Sequence, residues 1–327
     1  MSHLASIGTD LEIAARFLRE GEVVAMPTET VYGLAANAFD ERAVAKIFEA
    51  KHRPTFDPLI LHIDNHSRLS EITATIPKEY EPLMERFWPG PLTLIFEKTS
   101  RVSELVTSGL PTVAVRMPAH PVARQLIALA EVPLAAPSAN LFGRTSPTTA
   151  AHVADQLADR IDYILDAGPC DVGVESTILR FTDGRFEILR PGGVTQEELS
   201  KCVSQPIVQY DSTKNTDTKI DAPGQLKEHY SPQTPLVVSE GNAVLKPDRK
   251  TGLLRFSEDS YPDVKSFERV ITLSETGNLL EATSRFFAAI HELDKLGQDL
   301  IVATPFPNHG LGIALNDRLQ RAAHRFV

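Results

Sequence analysis

Nine consecutive residues, 211–219 (DSTKNTDTK), carry no apolar side chain. Such a segment cannot contribute to a hydrophobic core, so the 327-residue chain has to fold as units on either side of it. A length of this size also favours two domains. The first unit reads as residues 1–203 and the second as 235–327, with 204–234 between them. That connector is not uniform. Residues 222–232 (APGQLKEHYSP) regain Leu, His, Tyr and two prolines, which is odd for a passive tether.

In the first unit, Thr9 and Glu12 form a capping-box pattern. Leu11, Ala14, Ala15 and Leu18 then share one helical face, and Gly21 ends the helix. Short apolar runs at 22–26, 59–63, 92–96, 112–116 and 132–135 predict strands. Between them lie helices at Asp40–Phe48, carrying Val44 and Ile47, at 78–87 and at 121–130. ESTILRF and RFEILR flank Asp183-Gly184, a strong hairpin signal. Helices and strands do not alternate regularly, which implies an α/β domain with a twisted, mixed sheet. Beyond 235 they do alternate. PLVVSE, GLLRF, RVITL and DLIVATPF read as strands. A helix over 278–296 has Leu280, Phe287, Ile290 and Leu293 as its core, and a last helix covers about 314–325. This predicts a smaller Rossmann-like α/β domain.

Several function classes are disfavoured. A net charge of -10 argues against broad nucleic-acid binding. The two cysteines, Cys170 and Cys202, form no C-x-x-C pair, so a structural zinc site is not expected and two reduced thiols are. The N-terminal residues lack a signal-peptide pattern, and no apolar run exceeds five residues. The expected location is the cytoplasm. There is no Gly-Lys dipeptide for a Walker A loop, no H-E-x-x-H and no G-x-S-x-G. Gly310-Leu311-Gly312 lacks the third glycine of a dinucleotide fingerprint.

Several polar clusters remain, each with two readings. PTETVYGL at 27–34 follows a strand, where α/β sites open, but also reads as a turn with hydroxyl caps. Lys51-His52-Arg53-Pro54 suits a helix C-terminus, or an anion site in which Arg53 supplies a donor fork. His62 lies in an apolar strand, where a hydrogen-bonded core histidine is ordinary. Arg116 ends strand TVAVR and needs an anionic or carbonyl partner, either a substrate carboxylate or a structural aspartate. AAPSAN at 135–140, preceding Gly143-Arg144-Thr145-Ser146, lets a ligand approach the backbone or is a plain Pro/Ser/Asn loop. Glu175-Ser176-Thr177 and Arg190-Pro191-Gly192-Gly193 are weak individually.

The ordered set PTETVYGL, KHRP with PLILHI, WPGPLT, VAVRMP, APSAN, ESTI and LRPGG resembles the YrdC-like family of threonylcarbamoyl-AMP synthases over roughly residues 9–203. EHYSP and the closing NDRLQRAA resemble its longer, two-domain branch. The resemblance implies a nucleotidyltransferase that joins L-threonine, bicarbonate or CO2, and ATP into threonylcarbamoyl-AMP, releasing pyrophosphate. No protein nucleophile is needed, and positioning and charge neutralisation do the work. Carried over by motif, Thr30, His62, Arg116, Ser176 and the Ala136 backbone are expected at L-threonine. Lys51, Arg53, Asp57, Thr112, Ser138, Asn140, Ser146, Arg190 and Tyr230 are expected at ATP. Asp57 departs from the Asn or Lys frequent there: it repels phosphate, helps hold magnesium or pairs with Arg53. Mg2+ is expected to come with the triphosphate, through phosphate oxygens and water rather than protein ligands. The His229-Tyr230-Ser231-Pro232 segment is expected to fold over the site as a lid. Downstream, tRNA threonylcarbamoyl-transferase proteins, and tRNA indirectly, would consume the adenylate. The alternatives are a carbamoyl-adenylate-forming carbamoyltransferase, disfavoured by the two cysteines and the length, and an RNA-binding module, disfavoured by the acidic charge.

Overall fold

The computed structural model describes residues 4–210, 229–239 and 250–324. The apolar-free run 211–219, and residues 222–228 ahead of His229, lie outside the described residues.

The first domain is built on one mixed sheet. Its strands in chain order are β1 (Ser6–Gly8), β2 (Val24–Met26), β3 (Gly33–Asn37), β4 (Ile60–His62), β5 (Leu92–Glu97), β6 (Thr112–Arg116), β7 (Leu134–Ala135), β8 (Tyr163–Leu165), β9 (Thr177–Thr182), β10 (Arg185–Arg190) and β11 (Ile207–Gln209). Their spatial order is β1-β8-β2-β3-β7-β4-β6-β5-β9-β10-β11. Parallel pairs such as β4·β6 and β5·β9 alternate with antiparallel ones such as β5·β6 and β9·β10, so the mixed sheet expected from the sequence is present. One face buries Ala14, Ala15 and Leu18 of helix Leu11–Arg19 against Leu126 and Ile127 of helix Pro121–Ala130. The other buries Val44, Ile47 and Phe48 of helix Glu41–Lys51.

The second domain is a four-stranded parallel sheet, β12 (Leu236–Val238), β13 (Thr251–Arg255), β14 (Arg269–Thr272) and β15 (Leu300–Ala303), in the order β12-β15-β13-β14. Helices Leu279–Lys295 and Leu311–His324 contribute Phe286, Phe287, Ile290, Leu293, Leu315 and Leu319 to its core. That core also takes in Val31, Val174 and Tyr230, so the two domains share packed side chains. They approach closely: a Cβ added to Gly173 would lie 2.6 Å from the Ser284 Cα.

Four local expectations need correction. Asp10, not Thr9, caps the first helix, its carboxylate accepting from the N–H groups of Glu12 and Ile13. Leu280 is 62% exposed, because it sits in the first turn, ahead of the packed segment that starts at Ala282. Residues 33–37, expected to be the end of the PTETVYGL motif and a loop, form β3, paired antiparallel with β2 and β7. Residues 207–209, read as connector, form β11 and extend the first sheet beside β10.

Candidate active site

Strand register brings the polar motifs together. β4 and β6 run parallel with His62 opposite Arg116, so both residues reach the same end of the sheet. Antiparallel β5 places Thr93 opposite Arg116. The Thr93 and Ser176 hydroxyls are 2.7 Å apart, which ties the start of β9 to that end. Thr30 follows β2, Ala136 and Ser138 follow β7, and Arg190 ends β10. A partly enclosed cavity opens among these strand ends.

All five residues expected at L-threonine line the cavity: Thr30, His62, Arg116, Ala136 and Ser176. Arg116 is 3% exposed. Its Nε donates to the Gly90 carbonyl at 3.2 Å and its Nη1 to the Thr30 hydroxyl at 2.8 Å. Its Nη2 lies 2.6 Å from Glu29 Oε1. Burial pushes the Glu29 carboxyl up, but the Arg116 charge and the Ala119 N–H outweigh it, and the net shift is downward. Arg116 therefore reaches the cavity wall already oriented by a buried counter-ion. Burial, and then the Arg116 charge, depress His62 to about 3. It is a neutral imidazole at physiological pH, and its Nδ1 has no hydrogen-bond partner among the described residues.

Of the residues expected at ATP, Arg53, Ser138, Arg190 and Tyr230 line the same cavity. Lys51, Asp57, Asn140 and Ser146 are buried but are not part of its lining. Lys51 Nζ donates to the Ser138 and Asn140 carbonyls, pinning the APSAN loop. Asn140 Nδ2 donates to the Leu141 and Arg144 carbonyls at 2.7 and 2.9 Å. Asp57 is the ion-pair partner of Arg53, with 2.8 Å between Nη2 and Oδ2. Arg53 also donates to the Asp57 and Pro58 carbonyls. Arg190 donates to the Ser176 carbonyl and hydroxyl. Thr112 stands apart, partly exposed at the opposite end of β6 from Arg116. Four residues of strand separate them by about 13 Å.

Some wall residues had no assigned role in the sequence reading. Thr28 accepts from the N–H groups of Thr30 and Val31 and shapes the first motif. Glu175 and His229 line the cavity, and Arg318, from the last helix, pairs with Glu175 at 2.9 Å. The Asx- or ST-turn pattern could have flagged Thr28. Nothing local in NDRLQRAA marks Arg318 as an active-site neighbour, since its partner is 143 positions away.

Charge is the dominant feature. Lys51, Arg53, Arg116, Arg190 and Arg318 are buried together, against the carboxylates of Asp57, Glu29 and Glu175. Among the described residues, Lys51 and Arg190 form no ion pair. Burial, and for Lys51 also the neighbouring Arg53, pushes both below their usual values. The Tyr230 hydroxyl, pushed up to about 12 chiefly by burial, and His229 Nδ1 have no hydrogen-bond partner among the described residues. The buried Cys170 thiol is raised to about 12, chiefly by burial. The fold and cavity thus define an α/β enzyme that grips small anionic substrates and positions them.

Comparison with known proteins agrees. Residues 16–192 match the Sua5–YciO–YrdC family model, described as telomere recombination, and residues 194–324 match the C-terminal domain of threonylcarbamoyl-AMP synthase. The chain is 43% identical to the threonylcarbamoyl-AMP synthase of Pyrococcus abyssi, covering 96% of this chain and 94% of that protein. It is 43% identical to the Bacillus subtilis protein of the same name, covering 95% and 92%. The Vibrio vulnificus threonylcarbamoyl-AMP synthase is 35% identical over 56% of this chain and 99% of its own length. The crystal structure of P. abyssi Sua5 complexed with L-threonine superposes with a TM-score of 0.88 at 40% identity, covering 96% of this chain and 94% of that one. Full-length HypF, at 21% identity and a TM-score of 0.51 over 56% of this chain and 29% of its own, shares the fold alone. The chain belongs to the Sua5–YciO–YrdC family, in its two-domain threonylcarbamoyl-AMP synthase branch.

Proposed function

We propose that the cavity binds L-threonine and ATP side by side and forms threonylcarbamoyl-AMP. Arg116 takes the threonine carboxylate as a charge-assisted pair. Thr30, His62, Ser176 and the Ala136 backbone orient the amine and side chain. Lys51, Arg53 and Arg190 neutralise the triphosphate, with Ser138, Asn140, Ser146 and Tyr230 around the nucleotide. Thr112 marks the far end of an extended nucleotide, and Asp57 positions Arg53.

The amine attacks the carbon of CO2 and loses a proton, or that of bicarbonate with loss of water, to give a carbamate. A carbamate oxygen attacks the α-phosphorus, the bond to the β-phosphate bridging oxygen breaks, and pyrophosphate leaves. Threonylcarbamoyl-AMP then supplies the group that other proteins transfer to tRNA in making N6-threonylcarbamoyladenosine. Among the described residues, no group of three or more His, Cys, Asp or Glu side chains could hold a metal ion. Mg2+ bound to the triphosphate would offset phosphate charge. The chain's own part is to hold that triphosphate.

The surplus of buried cations around the cavity carries this reading. Tyr230 supports the lid role of its segment: its ring packs on Phe287 of the second domain, at 5.7 Å between centroids, while it lines the cavity. No helix among the described residues is long and apolar enough to cross a membrane. With Cys170 and Cys202 both free, the cytoplasm is the proposed location. The test measures pyrophosphate release with ATP, Mg2+, bicarbonate and single amino acids. Release is expected only with bicarbonate and L-threonine together, and equal release with L-serine would overturn the substrate.

A further inference from the structure

Arg318 of the second domain reaches Glu175, which lines the cavity. Arg318 lies in helix Leu311–His324, whose Leu315 and Leu319 face the second domain's own core. The Arg318 side chain is 0% exposed and is among the largest fully buried side chains in the molecule. Its guanidinium turns to the first domain. Nε donates to Glu175 Oε2 at 2.9 Å, Nη1 donates to Asp317 Oδ2 at 2.6 Å, and the Tyr230 ring lies 5.1 Å away.

Glu175 is the link onward. Its second oxygen, Oε1, accepts from the Ser146 hydroxyl at 2.5 Å. It directly precedes Ser176, whose carbonyl and hydroxyl hold Arg190. Ser146 and Arg190 both belong to the nucleotide side of the proposed site; Ser176, which holds Arg190, is a threonine-side residue, but among the described residues neither Arg318 nor the Glu175 side chain bonds to Arg116 or Thr30. A fully desolvated ion pair is weak evidence for a stability role, because an apolar side chain of similar volume often serves as well. Here the pair fixes which oxygen of Glu175 faces Ser146.

We propose that Arg318 is a positioning residue for the nucleotide half of the site, supplied across the domain boundary and acting through Glu175. This rests on the function proposed above. It gives the second domain a part in the site that goes beyond supporting the Tyr230 segment. The aligned region of the V. vulnificus relative covers 99% of that protein and only 56% of this chain. That shorter relative therefore has no room for both of this chain's domains.

The test uses the full chain with Arg318→Met, Arg318→Lys, Glu175→Gln and the double variant Arg318→Met/Glu175→Gln. Two quantities are read: KM values from pyrophosphate release, and ATP affinity by calorimetry without threonine. Arg318→Met is expected to raise the KM for ATP by about tenfold while the KM for L-threonine stays within about twofold. Arg318→Lys recovers part of the loss. The double variant is no worse than the more severe single one, because the two residues act through one link. Equal rises in both KM values, or effects that multiply in the double variant, would overturn the proposal. So would an unchanged ATP affinity in a folded Arg318→Met. If Arg318→Met does not fold, Arg318→Lys and Glu175→Gln decide by the same split between ATP and threonine. If the wild type releases no threonine-dependent pyrophosphate, the functional reading fails by itself. The calorimetric ATP affinities then still test Arg318.

Discussion

Arg116 meets a carbonyl, a hydroxyl and a carboxylate, one on each nitrogen. Only a planar fork satisfies all three, so Arg116→Lys should disturb the clamp even though the charge is kept. Losing a charge-assisted hydrogen bond of about 1.5–3 kcal/mol is expected to raise the KM for L-threonine by roughly 10- to 100-fold, with ATP affinity little changed. Steady-state kinetics with each substrate varied in turn check this, and a normal threonine KM would remove Arg116 from the clamp. Asp57 allows a sharper test. Its pairing with Arg53 fits one of the three readings open for it in the sequence, while the other two concern phosphate and magnesium. Asp57→Asn removes one negative charge beside the triphosphate. At an effective dielectric constant near 20 this is worth about 1 kcal/mol or more, so the KM for ATP is expected to fall several-fold at low salt. A rise that excess Mg2+ reverses would instead make Asp57 a metal-side residue. The five residues proposed for threonine were legible as motifs at or beside strand ends, and the structure brings them to one cavity. Arg318 was not, because only the packing of two domains brings it to Glu175.

Elements were legible where local chemistry agrees with the fold. Asp183 and Gly184 both take positive φ, 49° and 74°, between β9 and β10, as the Asp-Gly hairpin signal requires. β3 was hidden because Gly-Leu-Ala-Ala-Asn has no β-branched residue, and its pairing with two neighbours overrides weak propensity. The LRPGG turn shows how an element position can control the site. A Cβ on Gly192 would stand 2.3 Å from the Glu175 carbonyl oxygen and 2.5 Å from the Thr177 nitrogen. Both contacts are backbone, so Gly192→Ala has to displace the segment that carries Ser176. Overpacking of this kind costs about 1–3 kcal/mol. The expected outcome is a lower melting temperature together with weaker L-threonine binding by calorimetry. A variant with wild-type affinity would show that residues 175–177 tolerate the shift.

For the whole molecule, acid is the condition that should separate the two domains. His152 of the first domain stacks on His291 of the second, with 4.0 Å between centroids and 18° between planes. His291 Nε2 donates to the Ser146 carbonyl at 3.1 Å. Burial, and then the neighbouring charges of His291 and Lys295, depress His152 to about 3, while burial lowers His291. His62 and His229 are depressed as well, chiefly by burial. Each is neutral in the folded protein and protonates on unfolding once the pH drops below about 6.5. The unfolded state then binds more protons, so stability falls as pH falls. This contribution is fully present above about pH 6.5 and is lost progressively towards the folded values, which are near 3 for His62 and His152. A fully buried histidine contributes a slope of up to about 1.4 kcal/mol per pH unit in that window. A steep fall in melting temperature from pH 7 to pH 5 is expected, with net proton uptake on unfolding measured by calorimetry in buffers of different ionisation enthalpy. His152→Gln should flatten the profile by removing one titrating partner from the domain interface. A melting temperature constant between pH 7 and pH 5 would mean that these imidazoles protonate without disturbing the fold.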